Sequence, residues 1–411
     1  MGQRIATIAV CLLIATGTGC DRDQATDRDS KREQEQTKSK ARSDETPALA
    51  EIDRGLKSDV VSHYADLAES AYLDAFELTE HLHESVEFLT EDPSEDALDA
   101  ARQSWLAARE PYVRAEAFHF PESPIHRDGR ESRVNAWPLV AAFVDSVEGE
   151  PDAGLINDPD IDVDEDSLAE LNGRDDNSRN VATGFHVIEF LLWGQDLHEG
   201  DSGERPYTDY VTGPEKTAPN PERRGAYLRT TVELLLHDLD DLVAAWRKGD
   251  DNFRAEFTAQ DSRAAIADIL TGLEHLSRAT LANKRLKMPL ASPDREDESS
   301  NFSDNTHVDL LENARAVRDT YMGQYVRMDN SKVAGPGLNE IAGEVAPELD
   351  DRLERQFDQT IEAVEAIPRP FDEALNSDAG RAKIQTAIEH AQAQAKLLRK
   401  LADALGVELP R

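Results

Sequence analysis

The chain has 411 residues, with 83 Asp and Glu against 45 Lys and Arg, and a formal net charge of −38. That sign disfavours nucleic acid and anionic lipid as partners, because both recruit cationic surfaces. The length admits a sizeable core and two or three domains, and the acidity itself reads as solubility in a salty exterior in preference to a specific cation-collecting surface.

Residues 1–20 read as a secretory signal: Arg4 supplies the positive end, Ile5 to Ala15 the apolar run, and small residues lead to Cys20. The run is too short to span a bilayer as a helix. Gly17-Thr18-Gly19-Cys20 resembles a bacterial lipoprotein processing site with Cys20 as the acylated first residue, although Gly17 stands where Leu is usual. The alternative is an ordinary secretory signal with an incidental Cys20. Cys11 would leave with the signal, so the mature chain has no disulfide and no Cys-based metal site. Residues 21–50 hold eight acidic and seven basic residues and almost nothing apolar. Such a segment cannot offset its ordering entropy and is expected to be a disordered linker. With no apolar span after residue 20, membrane contact would come through the N-terminal lipid only.

The folded body opens with a long helix, whose stripe runs Leu56, Val60, Tyr64, Leu67, Ala71, Leu78, Leu82, Val86, Leu89. Pro93 and Ser94 end it and cap a second helix that runs to about Phe120, with Glu95 and Asp96 in its first turn. Along that helix's apolar face, steps of four, three, four and three from Trp105 give Arg109, Tyr112, Glu116 and His119. Polar residues on a core-facing stripe mean either a buried ion pair or a site. Residues 121–180 are rich in Pro, Gly, Asp and Asn and read as loops with short helices, a length more often functional or inserted than idle.

The segment Val181 to Trp193 follows, apolar on every side except for His186 and Glu189. Three residues apart, these two lie on one helical face. Buried there, they must be paired with each other, hydrogen-bonded or bound to a metal. A turn-rich stretch from Gly200 to Pro221 leads to helices expected near 222–248, 262–288, 305–327, 338–367 and 380–405, with Pro347 kinking or restarting the fourth. Acidic residues cluster at 294–304, where Ser303 or Asp304 is expected to cap the helix beginning near Asn305. No alternating run is long enough to suggest a sheet. The fold class from periodicity is all-α, of bundle type.

The ordered set Trp105-x-x-x-Arg109-x-x-Tyr112-x-x-x-Glu116, Val134-Asn135-Ala136-Trp137-Pro138-Leu139, Gly154-Leu155-Ile156-Asn157-Asp158-Pro159, Gly184-x-His186-x-x-Glu189 and Phe302-Ser303-Asp304-Asn305-Thr306-His307 resembles the imelysin family, specifically its iron-regulated protein A branch. The resemblance implies two helical-bundle domains, 51–220 and 221–411. It implies an exported lipoprotein of the cell envelope, facing the periplasm, that binds a metal ion or metal-containing ligand in iron uptake or homeostasis. Other envelope iron-uptake proteins would be its partners. The motif site would comprise Gly184, His186, Glu189, Arg109 and Glu116, with His186, Glu189 and Glu116 as ligands to iron or another divalent metal, donors suited equally to zinc or manganese. Gly184 would let a backbone or ligand approach closely. His119 has no counterpart in the family pattern. The chain also departs at Thr280, where a carboxylate is expected, at Val140 and Ala141, and at Ser299 and Asn301.

Two rival readings remain. A metallopeptidase of the imelysin type would need a third protein ligand and a base, yet HExxH is absent. Alternatively the chain is a non-catalytic peptide- or protein-binding lipoprotein in which His186 and Glu189 are purely structural, a reading that a sealed pair would favour.

Overall fold

The computed structural model describes residues 48–410 apart from 198–200, 250 and 293. The expected signal peptide, Cys20 and the expected linker up to residue 47 lie outside the described residues, whereas Ala48–Ala50, also counted to that linker, form a 3-10 turn with Leu49 buried. The described chain is mostly helical, with almost no strand, as the periodicity predicts.

Helix α1 spans Arg54–Glu91, opened by the Asp53 carboxylate, which accepts from the amides of Gly55 (2.6 Å) and Leu56 (3.2 Å). The stripe read from the sequence is buried at Val60, Tyr64, Leu67, Ala71, Leu82, Val86 and Leu89. Ser94 caps α2, Glu95–Ala115, by accepting from Ala97 at 3.3 Å, and α2 runs into a 3-10 turn at Glu116–Phe118. Helix α3, Phe185–Trp193, is buried at every residue. Its start is possible only because residue 184 is glycine: φ is +93°, and a Cβ there would lie 2.5 Å from the carbonyl oxygens of Arg133 and Val134. Helix α4, Pro221–Trp246, packs back against α1.

Helix α5, Ser262–His275, continues as a π-helical stretch over Leu276–Lys287. Helix α6, Thr306–Tyr321, lies against α2. Here the capping expectation is corrected: Asn305 precedes the helix without a side-chain cap, and Ser303 turns elsewhere. Pro347 does restart the chain as a helix, separating α7, Leu338–Val345, from α8, Pro347–Glu365. Helix α9, Asp378–Leu405, packs on α8 and on the π-helical stretch.

A two-stranded antiparallel hairpin, β1 Gln324–Val326 and β2 Lys332–Ala334, was not expected. Its three-residue strands are too short to show alternation. Asp74 of α1 fastens it, accepting from Tyr325 Oη at 2.9 Å and Arg327 Nε at 2.8 Å. Two apolar cores result. The larger draws on residues from Leu49 to Val407, and the smaller on Leu281 to Ala391 along the π-helical stretch, α6, α8 and α9.

Candidate functional site

Where α2, α3, α6 and the π-helical stretch converge, polar side chains replace the apolar core. Arg109 of α2 is fully buried and pairs with Asp309 of α6, Nε to Oδ1 at 3.1 Å and Nη2 to Oδ2 at 2.9 Å. The Ser299 and Ser300 hydroxyls donate to the same carboxylate, at 3.1 and 2.9 Å. Burial works to raise the Asp309 carboxyl, but the Arg109 and Arg285 guanidinium groups outweigh it and hold it at about 2. The remaining Arg109 arm donates to Asn135 Oδ1 at 2.5 Å, and Asn135 donates in turn to Glu116 Oε1 at 2.9 Å.

Glu116 is fully engaged. Arg285, from the π-helical stretch, grips both of its oxygens at 2.7 and 2.9 Å, and Asn313 of α6 donates to Oε2 at 2.7 Å. Arg285 also donates to the Asn313 side-chain oxygen. The expectation that Arg109 and Glu116 face the core is met, and each is neutralised there by a residue from the second half of the chain.

On α3, His186 Nδ1 and Glu189 Oε2 stand 2.9 Å apart, with the side chains 2% and 0% exposed. The backbone N–H (3.0 Å) and hydroxyl (2.7 Å) of Ser303 both donate to Glu189 Oε1. Burial pushes the Glu189 carboxyl up to about 8, against the Ser303 bonds and the Arg109 charge. Burial, reinforced by Arg109, holds His186 well below the ordinary imidazole value, so the ring is neutral. Nδ1 is thus committed to Glu189, and Nε2 is the nitrogen left to the space that His186 lines.

That space is a cavity of about 200 Å³ beside the ring, bordered by His186, Glu116, Tyr112, His119, Trp137 and Lys284. Exposed His126 and His275 line it as well. Trp137 is oriented by donating its indole N–H to the Glu298 carbonyl at 2.7 Å, and the Lys284 ammonium sits 5.1 Å from its ring centre. His119 is kept neutral by burial, at about 4, and its Nε2 has no hydrogen-bond partner. His307 is remote from this chemistry, with Nε2 bonded to the Pro368 carbonyl at 2.8 Å.

A metal fits this donor set in part. His186 backed by the Glu189 carboxylate is the arrangement that orients metal-binding imidazoles. Both Glu116 oxygens, however, are taken by Arg285, and among the described residues no group of three or more His, Cys, Asp or Glu is placed to hold an ion. His186 and Glu116 therefore line one cavity, with Glu189 held against His186, and the three form no common ligand set. Sequence reasoning missed Asp309, Asn313, Lys284 and the role of Ser303. Asp309 and Asn313 had a signal: with Thr306 and Val317 they fall on the buried stripe of α6 at helical spacing, as Arg109 and Glu116 do on α2.

The imelysin family model matches residues 68–398, and the chain belongs to the imelysin family. It is similar to the iron-regulated protein A of Synechococcus elongatus, at 24% identity over 316 residues covering 74% of each chain. Among solved structures it resembles a Parabacteroides distasonis protein described as an iron-regulated protein A precursor, with TM-score 0.67, 21% identity, and coverage of 86% of this chain and 96% of that one. It also resembles an imelysin-like protein from Psychrobacter arcticum, with TM-score 0.62, 17% identity, and coverage of 88% and 98%. At these identities the structural likeness speaks for the fold.

Proposed function

We propose that this is an exported imelysin-like lipoprotein of the cell envelope that binds a metal-containing ligand in iron uptake or iron homeostasis. The observation that carries the reading is His186: its Nδ1 is held by Glu189, and the ring borders a cavity instead of a sealed core. Loss of the Glu189 proton, held up to about 8 by burial, lets the carboxylate accept from Nδ1–H and leaves Nε2 as a lone-pair donor to a cation. The shortage of further free protein ligands favours an ion that arrives with ligands of its own over a bare ion caged by the chain. Iron is preferred because relatives are named as iron-regulated; imidazole alone does not select it. Export and anchoring rest on the signal-like first 20 residues and Cys20. No described helix is long and apolar enough to cross a membrane.

The test is metal analysis of full-length protein purified without chelator, wild type beside His186→Ala. Stoichiometric metal in the wild type, lost in the variant, is the expected result. Wild-type protein without metal, or a variant that retains it, overturns the reading.

A further inference from the structure

The cavity carries chemistry that the histidine–glutamate pair does not use. Its two lining carboxylates are both spoken for: Glu116 by the Arg285 fork, and Glu131 by His126 Nδ1 at 2.9 Å. Its second cation is not. Lys284 extends over the Trp137 ring, and among the described residues its ammonium meets neither a carboxylate nor a hydrogen-bond acceptor. In a chain of net charge −38, a lysine left without a carboxylate partner on a concave wall that also carries Glu116, Glu131 and Arg285 brings the lining to charge balance and leaves one cation uncommitted.

Two residues that line the same space carry polar atoms without partners. Tyr112 is fully buried and its hydroxyl makes no hydrogen bond; the buried Nε2 of His119 makes none either. An unsatisfied buried donor is costly, and a ligand that accepts from it would offset that cost. Burial pushes the Tyr112 phenol well above its ordinary pKa, so it remains an O–H donor. The residues around this space of about 200 Å³ therefore include one uncommitted positive charge, one hydroxyl donor and, besides His186, the neutral imidazole of His119. That volume excludes a peptide or a drug-sized ligand and admits a molecule of a few carbons.

We propose that this cavity binds a small di- or tricarboxylate anion through the Lys284 ammonium, the Tyr112 hydroxyl and the His119 imidazole. A carboxylate fits better than a phosphate, because phosphate sites favour unspent guanidinium forks or helix N-termini, and the lining Arg285 is already closed on Glu116. The inference deepens the reading of a metal-containing ligand, on which it rests for its biological sense, since carboxylate oxygens are hard donors that bring such a metal with them. Its test needs no metal.

Citrate and succinate are titrated calorimetrically into metal-stripped full-length protein, with inorganic phosphate as the competing oxyanion and glycerol as the neutral control. One saturable carboxylate site is expected, weakened about tenfold or more by Lys284→Ala and by Tyr112→Phe. Thermal melting like that of the wild type shows that each variant is folded, and Lys284, being on the surface side, guards against misfolding of the tyrosine variant. Absence of saturation with both carboxylates overturns the proposal, as does equal binding of phosphate, or an affinity unchanged in both variants. Carboxylate binding to a protein that purifies without metal sinks the metal reading and leaves this site standing. Stoichiometric metal without carboxylate binding does the reverse.

Discussion

Arg109 and Asp309, 200 positions apart in the chain, form a two-point ion pair with both side chains wholly excluded from solvent. The pair ties α2 to α6, so the first and second halves of the sequence meet through charge at the point where the apolar core is interrupted. Removing one partner leaves the other as an uncompensated buried charge, at a cost of about 3–5 kcal/mol. Asp309→Asn and Arg109→Met are each expected to lower unfolding free energy by that order in urea titrations, and the double variant by clearly less than the sum. A single-variant loss under about 1 kcal/mol would place the pair among weak surface contacts and contradict the burial described.

Glu116 and Arg285 should form a second coupled unit. Both carboxylate oxygens are gripped by one guanidinium, with Asn313 bonded to each partner. A double-mutant cycle of Glu116→Gln with Arg285→Gln is expected to give an interaction energy of roughly 1–3 kcal/mol. Independent, additive losses would mean that the two side chains do not meet in solution.

Gly184→Ala is expected to be among the most damaging single-methyl additions in the chain. The left-handed backbone and the carbonyl oxygens of Arg133 and Val134 at 2.5 Å leave no room for a Cβ. Losses of at least about 2 kcal/mol, with α3 displaced, follow from steric overlap combined with positive φ. Near wild-type stability together with unchanged near-ultraviolet circular dichroism would refute the close approach.

Stability should fall between about pH 4.5 and about pH 8 for a reason located at Glu298. Burial raises its carboxyl from 4.5 to about 8, so the folded protein holds a proton that the unfolded chain releases. The stability linked to that proton is complete below the ordinary value and is lost as pH rises through about 8. Glu189 acts in the same direction and over the same window. Asp309, held at about 2, does the opposite: its contribution is present above 3.8 and disappears as pH falls through about 2. Glu298→Gln should therefore flatten the drop in unfolding free energy between about pH 5 and about pH 8, by roughly 1–3 kcal/mol. A drop as steep in the variant as in the wild type would assign the effect elsewhere.

Much of this fold is legible in residue order because helical periodicity is a local signal. The stripe from Leu56 to Leu89 places α1, Ser94 places the start of α2, and Pro347 marks where α8 begins. The site is legible in part: polar residues on the apolar face of α2 and inside α3 announce buried chemistry, and Arg109, Glu116, His186 and Glu189 are all buried. What residue order hides is pairing at long range. Ser303 looks like a helix cap until tertiary packing brings it to Glu189, 114 positions away. Lys284 and Arg285 look like ordinary surface cations on a helix until the π-helical stretch is seen, because a change from four- to five-residue hydrogen bonding leaves no mark in residue type.

That stretch makes the cavity wall a matter of angular phase. Successive residues of a regular helix are turned by about 100°, and the widened turns between Leu276 and Lys287 set which of them point inward. Were the segment to tighten to an ordinary helix with its residues kept, each would be turned further about the axis, and everything beyond would leave its present phase. The guanidinium that now closes on Glu116 and the ammonium over Trp137 would then change direction, with composition unchanged and the helix unbroken. A stretch with the same letters wound as an ordinary helix would line its cavity with different atoms, so matching letters here need not match directions.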